Sequence, residues 1–244
     1  MPRILKVKDD SDKFHKAMPT FDIPFQLLIN AKSQVSGKTT IVLNLLLNPQ
    51  FGYADKFDGE DIYIISDNKL DNKLKMLAEY KEIPESNIYG GDFDSGLLDT
   101  LYENLVEDYQ EDIDEKKKPT HKLIILDDLS FSGSFASRFN VLAKLYQNGR
   151  KYLVNVICLA QYYKQVTSAI RMNSSGIAVW RTPNTQLEAF ESEHNYLRNG
   201  KKAFIGMYKD HVVERTDFMI INYSNSSKEL YLDKDFEVIK TELN

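Results

Sequence analysis

Three short stretches of this chain carry residue types at spacings that could do phosphate chemistry. The first is AKSQVSGKTT, residues 31–40. A glycine followed by lysine and threonine, between an apolar run and a helical one, aims backbone N–H groups at phosphates. Gly37 would open the helix, Lys38 would reach the β- and γ-phosphates, and Thr39 would offer its hydroxyl to Mg²⁺. Lys32, Ser33, Gln34, Val35, Ser36 and Thr40 complete the candidate nucleotide-binding loop. Alone, these residues fit an ordinary strand–loop–helix equally well.

The second stretch is LIILDD, residues 123–128, about 90 residues further on. Metal and nucleotide ligands belong at the carboxyl ends of neighbouring parallel strands, where a phosphate loop also lies. Asp127 is the candidate Mg²⁺ ligand, acting through the metal's water shell. Asp128 is the candidate for orienting or deprotonating the attacking water. Their bland alternative is two solvated aspartates beginning a loop. The third stretch is NGRKYLVNVICLAQ, residues 148–161. Gln161 closes its apolar run, where an amide can hold the lytic water or sense the γ-phosphate. A strand-end hydrogen bond would explain it as well. Arg150, eleven residues upstream, could stabilise the charge of phosphoryl transfer from a neighbouring subunit. It could also be a solvated helix-end cation.

These side chains need a scaffold, and the hydrophobic pattern supplies one. FQLLIN (25–30), DIYIIS (61–66), KLIILDDLS (122–130), LVNVICLAQ (153–161), GIAVW (176–180) and FMIINY (218–223) contain short continuous apolar runs. Such runs read as buried strands. Helical patterns follow Gly37 up to Asn48-Pro49, and cover 69–80, 95–109, 135–148 and 184–197, with Gly149 as a C-cap. EDIDEKKKPTH (111–121) reads as a solvated, mobile linker without chemistry. Strands alternating with helices indicate an α/β fold with a mainly parallel central sheet flanked by helices.

The 244 residues suffice for one large or two small domains, and no linker is long enough to force a second. One cysteine, Cys158, excludes a disulfide framework and reads as a buried thiol in a reducing compartment. Four scattered histidines lack zinc-ligand spacing. The first eighteen residues mix both charge signs without an apolar core, unlike a signal peptide. No apolar run approaches the roughly 20 residues that span a bilayer, so no membrane partner is expected. Net charge is −5, yet residues 129–187 hold seven basic residues and no acid, which leaves −12 on the rest. That segregation suits a local polyanion-facing surface. Lys144, Lys164 and Arg171 are its candidate DNA-binding residues.

Taken in order, these parts resemble the FtsK/HerA superfamily of ring-forming P-loop DNA translocases. Its pattern runs Walker A, Walker B with paired acids, an arginine finger at a helix–strand junction, then a strand ending in glutamine. LAKLYQNGRKYLVNVICLAQ (142–161) is similar to the finger-to-glutamine segment, and QVTSAIRMNSSGIAVW (165–180) continues the likeness. Ile-Arg-Met-Asn and the compact length resemble the branch that packages genomes of large DNA viruses and virophages.

The resemblance implies a RecA/FtsK-HerA-type P-loop NTPase domain over 21–225, between extensions 1–20 and 226–244. It implies Mg²⁺-ATP hydrolysis at the subunit junctions of a homo-oligomeric ring, a pentamer or hexamer. Double-stranded DNA and capsid components would be its partners, in the host cytoplasm and the virion. Lys38, Asp128, Gln161 and Arg150 would be the catalytic set. Two departures stand out: Asp128 stands where the superfamily usually has glutamate, and in the phosphate loop Lys32 replaces the opening glycine and Val35 stands where another glycine is common. The loop changes keep open a scaffold that binds nucleotide or DNA without turnover. A small-molecule P-loop kinase would need an arginine-rich lid, which the sequence does not display.

Overall fold

The computed structural model describes residues 21–32, 37–66, 71–90, 96–127 and 138–241, with only the backbone given for 138–140. Eight strands form one sheet: β1 (Gln26–Asn30), β2 (Ile62–Ser66), β3 (Ile88–Gly90), β4 (Lys122–Asp127), β5 (Val154–Ala160), β6 (Gly176–Trp180), β7 (Phe218–Asn222) and β8 (Tyr231–Leu232). The helices are α1 (Lys38–Leu47), α2 (Asn72–Tyr80), α3 (Leu97–Asp114), α4 (Arg138–Asn148), α5 (Ser168–Asn173), α6 (Asn184–His194) and α7 (Gly200–His211).

Spatial order is β3-β2-β4-β5-β1-β6-β7-β8. The first six strands in that order run parallel, and β7 and β8 add antiparallel pairs at one margin. The sheet thus continues past residue 225.

Each central strand is apolar on both faces because helices cover both. Leu27, Ile29, Leu123, Ile125, Ile157 and Leu159 pack on the side of Val42, Leu45 and Leu46 from α1 and Leu74 and Leu77 from α2. The alternating set, Leu28, Ile124, Leu126, Val156 and Cys158, faces α3 to α7. Cys158 is a buried thiol, as expected.

Several boundaries differ from the sequence reading. Residues 111–114 belong to α3 rather than to a linker; the helix ends at a Glu115 cap, and Lys116 takes φ 59°. Gly149 is not a left-handed cap either. The chain tightens into a helical turn over Gly149–Tyr152, and Leu153 supplies the positive φ of 57°. The helix expected over 69–80 starts at Asn72, capped by Asp71 onto Lys73 N at 2.7 Å. Among the described residues, no helix is long and apolar enough to cross a membrane.

Candidate functional site

β1 lies between β5 and β6: after β1 the chain continues to strands on one side, while the connection from β5 to β6 passes to the other. Such a switch of direction opens a crevice at the carboxyl ends of the strands. Gly37, at φ 91° and ψ 12°, turns the chain from that edge into α1. No side chain caps the helix start, and its first turn holds no acid. Those uncapped N–H groups, with the positive end of the helix dipole, favour an anion. Lys38 and Thr39 sit in this first turn, 7% and 8% exposed. Thr40 is exposed, and its Oγ1 accepts from Lys73 Nζ at 2.6 Å. Lys32 is exposed beside the loop. Ser33, Gln34, Val35 and Ser36 lie outside the described residues, as does Asp128.

Asp127 ends β4, 6% exposed, in register with Ser66 of β2 and Leu159 of β5. It is not on a strand neighbouring β1, as the sequence reading had it: β5 intervenes. Two strand spacings, roughly 10 Å, therefore separate the ends of β1 and β4. Gln161 follows the end of the intervening strand, half-buried, between the phosphate loop and Asp127. A hydroxyl and a carboxylate, Thr39 and Asp127, are hard oxygen donors of the kind Mg²⁺ takes while keeping several waters. The pair fits that metal.

The strand ends are stitched together. Ala160 O accepts from Ala31 N at 3.0 Å and from Asn30 Nδ2 at 3.3 Å. Asn30, buried at the end of β1, was missed from sequence; the one signal was a polar letter closing an apolar run.

Arg150 is elsewhere. It lies half-buried in the turn before β5, at the opposite edge of the sheet. Burial lowers its pKa, while the negative charge of Asp22 opposes that shift. Both line a polar cleft of about 470 Å³ with Ser174, Ser175 and Tyr223. Of the basic candidates, Lys144 on α4 and Lys164 after β5 are exposed. Arg171 differs: it forks onto Glu193, Nη2 to Oε1 at 2.6 Å and Nε to Oε2 at 2.9 Å, with its side chain 14% exposed. Its guanidinium serves an internal ion pair, which sequence could not reveal across 22 residues.

A parallel sheet with a glycine-lysine-threonine helix start at its switch point defines the P-loop NTPase fold. The profile of the Poxvirus A32 protein family matches residues 94–244, and the chain belongs to that family. The match begins after the phosphate loop. Among solved structures, EssC (ATPases 2 and 3) from Geobacillus thermodenitrificans aligns at TM-score 0.54 and 12% identity, over 71% of this chain and 35% of that one. This chain thus spans about a third of the EssC structure. The genome packaging NTPase B204 from Sulfolobus turreted icosahedral virus 2, bound to ATP-γ-S, aligns at TM-score 0.51 and 12% identity, covering 82% of this chain and 93% of its own. B204 from Sulfolobus turreted icosahedral virus gives 0.51 and 12%, over 91% and 99%. At such identities the likeness is one of fold. No curated protein sequence matches the chain.

Proposed function

We propose that the chain is an ATP-hydrolysing motor that moves double-stranded DNA into a virus capsid. The observation that carries this reading is the grouping of Lys38, Thr39, Asp127 and Gln161 at the carboxyl ends of β1, β4 and β5. Family membership and a fold shared with B204, a genome packaging NTPase, support it.

ATP binds with its phosphates over the uncapped start of α1, where Lys38 neutralises the β- and γ-oxygens. Thr39 and Asp127 would hold Mg²⁺, which would supply positive charge against the phosphate oxygens. Gln161 orients the attacking water, and Asp128 accepts its proton or fixes its lone pair. Burial of Lys38 and Asp127 strengthens each of these contacts by excluding solvent.

Arg150 precedes a seven-residue strand. At parallel-strand rise that is roughly 20 Å from Gln161 of the same chain. It reaches a γ-phosphate only on an adjacent copy, which supports a closed ring with nucleotide at its junctions. Lys144 and Lys164 offer exposed charge for DNA phosphates.

The test is phosphate release by the assembled chain, with and without double-stranded DNA. Stimulation by DNA and its loss in Lys38→Ala are expected; normal turnover in that variant sinks the reading. A second reading has one observation in its favour. Lys32, where an opening glycine is usual, suits a scaffold that binds nucleotide and releases no phosphate.

A further inference from the structure

Gln161 is held from two sides. Upstream, the Ala160 carbonyl is tied to Ala31 N and Asn30 Nδ2. Downstream, Tyr163 is fully buried, edge-on to Phe190 at 5.5 Å between ring centroids. Between these anchors lie only Gln161 and the exposed Tyr162.

The Tyr163 hydroxyl sits in a closed polar network. It donates to Glu193 Oε2 at 2.6 Å and meets His194 Nε2 at 2.5 Å. The Tyr223 hydroxyl lies 2.5 Å from His194 Nδ1. With one proton per hydroxyl, a consistent assignment makes Nε2 the protonated nitrogen: Tyr223 donates to Nδ1, Nε2–H donates to Tyr163, and Tyr163 donates to Glu193. Burial keeps His194 neutral, with its pKa pushed down to about 4, as that tautomer requires.

Arg171 completes the arrangement. It forks onto Glu193, lies 5.1 Å over the Tyr163 ring, and donates through Nη1 to the Val166 carbonyl. It therefore grips the 161–167 segment at two points and fixes it to α6. Arg171, Glu193, His194 and Tyr223 also line the cleft that holds Arg150, and Tyr163 links that side of the network to the stretch that carries Gln161.

We propose that Arg171, Glu193 and Tyr163 form a clamp that positions Gln161 against the γ-phosphate. This rests on the reading of Gln161 as the water-orienting residue. The three are positioning residues: they set where the amide stands and take no part in bond making. A segment released at Tyr163 lets the amide swing, leaving the phosphate loop and nucleotide affinity intact.

The test is steady-state ATP turnover by the assembled full chain with double-stranded DNA, in wild type, Tyr163→Phe, Glu193→Gln, Gln161→Ala and Gln161→Ala/Tyr163→Phe. Tyr163→Phe keeps the ring and its packing and removes only the hydroxyl. A small misplacement of a catalytic group costs roughly 10- to 100-fold, so kcat for Tyr163→Phe and Glu193→Gln falls by that factor while KM for ATP stays within about two-fold. In the Gln161→Ala background, Tyr163→Phe lowers kcat by less than about two-fold, because the group it positions is gone. An equal loss in both backgrounds overturns the clamp. So does a Tyr163→Phe protein without a cooperative thermal transition, which assigns the network to folding alone. Wild-type turnover with an unchanged Tyr163→Phe kcat overturns the clamp alone. A wild-type chain that releases no phosphate overturns the clamp together with the function it serves.

Discussion

Gln161 and Arg150 stand at opposite ends of one strand: β5 begins four residues after the arginine and ends one residue before the glutamine. A single strand thus joins the edge proposed to face a subunit's own nucleotide to the edge proposed to face the next. Mixed assemblies follow from this. Lys38→Ala and Arg150→Ala chains are each expected to be inactive as pure rings, since a trans arginine is worth about 10³- to 10⁵-fold. Mixing them pairs an intact loop with an intact arginine at some junctions. Phosphate release should recover to a fraction of wild type. No recovery in rings shown by mass to be mixed would place Arg150 outside the reaction.

Gly37 is a conformational requirement. Among the described residues a Cβ there meets no atom within 4 Å, so the cost of alanine is argued from the strain of φ 91°. Gly37→Ala should lower stability by about 1–2 kcal/mol in thermal unfolding. Affinity for a non-hydrolysable ATP analogue should weaken with it. Unchanged affinity would mean that phosphate does not approach this turn.

His194 makes stability pH-dependent. Burial lowers its pKa from 6.5 to about 4, so between those values the unfolded chain binds a proton that the folded chain refuses. Stability is therefore full above pH 6.5, declines as pH falls, and has lost about 3 kcal/mol near pH 4. Thermal midpoints across pH 4.5–7 should show this slope in wild type and a flatter one in His194→Gln. Equal slopes would remove His194 as the cause.

Lys116 holds φ 59° just after α3, where Lys116 N bonds Ile113 O at 3.0 Å and Lys117 N bonds Asp112 O at 2.8 Å. A left-handed position closing a helix favours glycine. Lys116→Gly should raise stability by about 0.5–1 kcal/mol, read from denaturant midpoints. A loss of stability would count against that backbone geometry.

Lys144 and Lys164 are expected to act on DNA through charge alone. Alanine at either should reduce stimulation by double-stranded DNA and lessen its salt dependence, without altering basal turnover. Arg171→Lys should instead lower basal turnover, because its fork onto Glu193 is lost. An Arg171 variant that lost only DNA stimulation would return it to the DNA-facing set.

Four parallel strands were legible as short apolar runs with a polar residue marking the carboxyl end: β1 by Asn30, β2 by Ser66, β4 by Asp127 and β5 by Gln161. The same pattern let the sequence place the candidates Asp127 and Gln161 at that edge, while Asn30 was passed over. β3 was not, being three half-exposed residues without a hydrophobic signature. Nor was α7, whose GKKAFIGMYKDH carries two glycines and a weak apolar stripe. The pairing of Arg171 with Glu193 was hidden for another reason. A charge looks solvated in sequence until its partner arrives, and Glu193 comes from α6, beyond β6. The insertion of β5 between β1 and β4 was equally invisible, because strand order follows from crossovers and not from local pattern.

The two margins of the sheet are its shortest strands, three residues at β3 and two at β8. Neither offers a long ladder for another chain to extend. Copies crowded together are thus discouraged from joining side by side into an open-ended filament. Contact is left to the strand ends and helices, where shape and charge can decide the partner and a closed assembly can form.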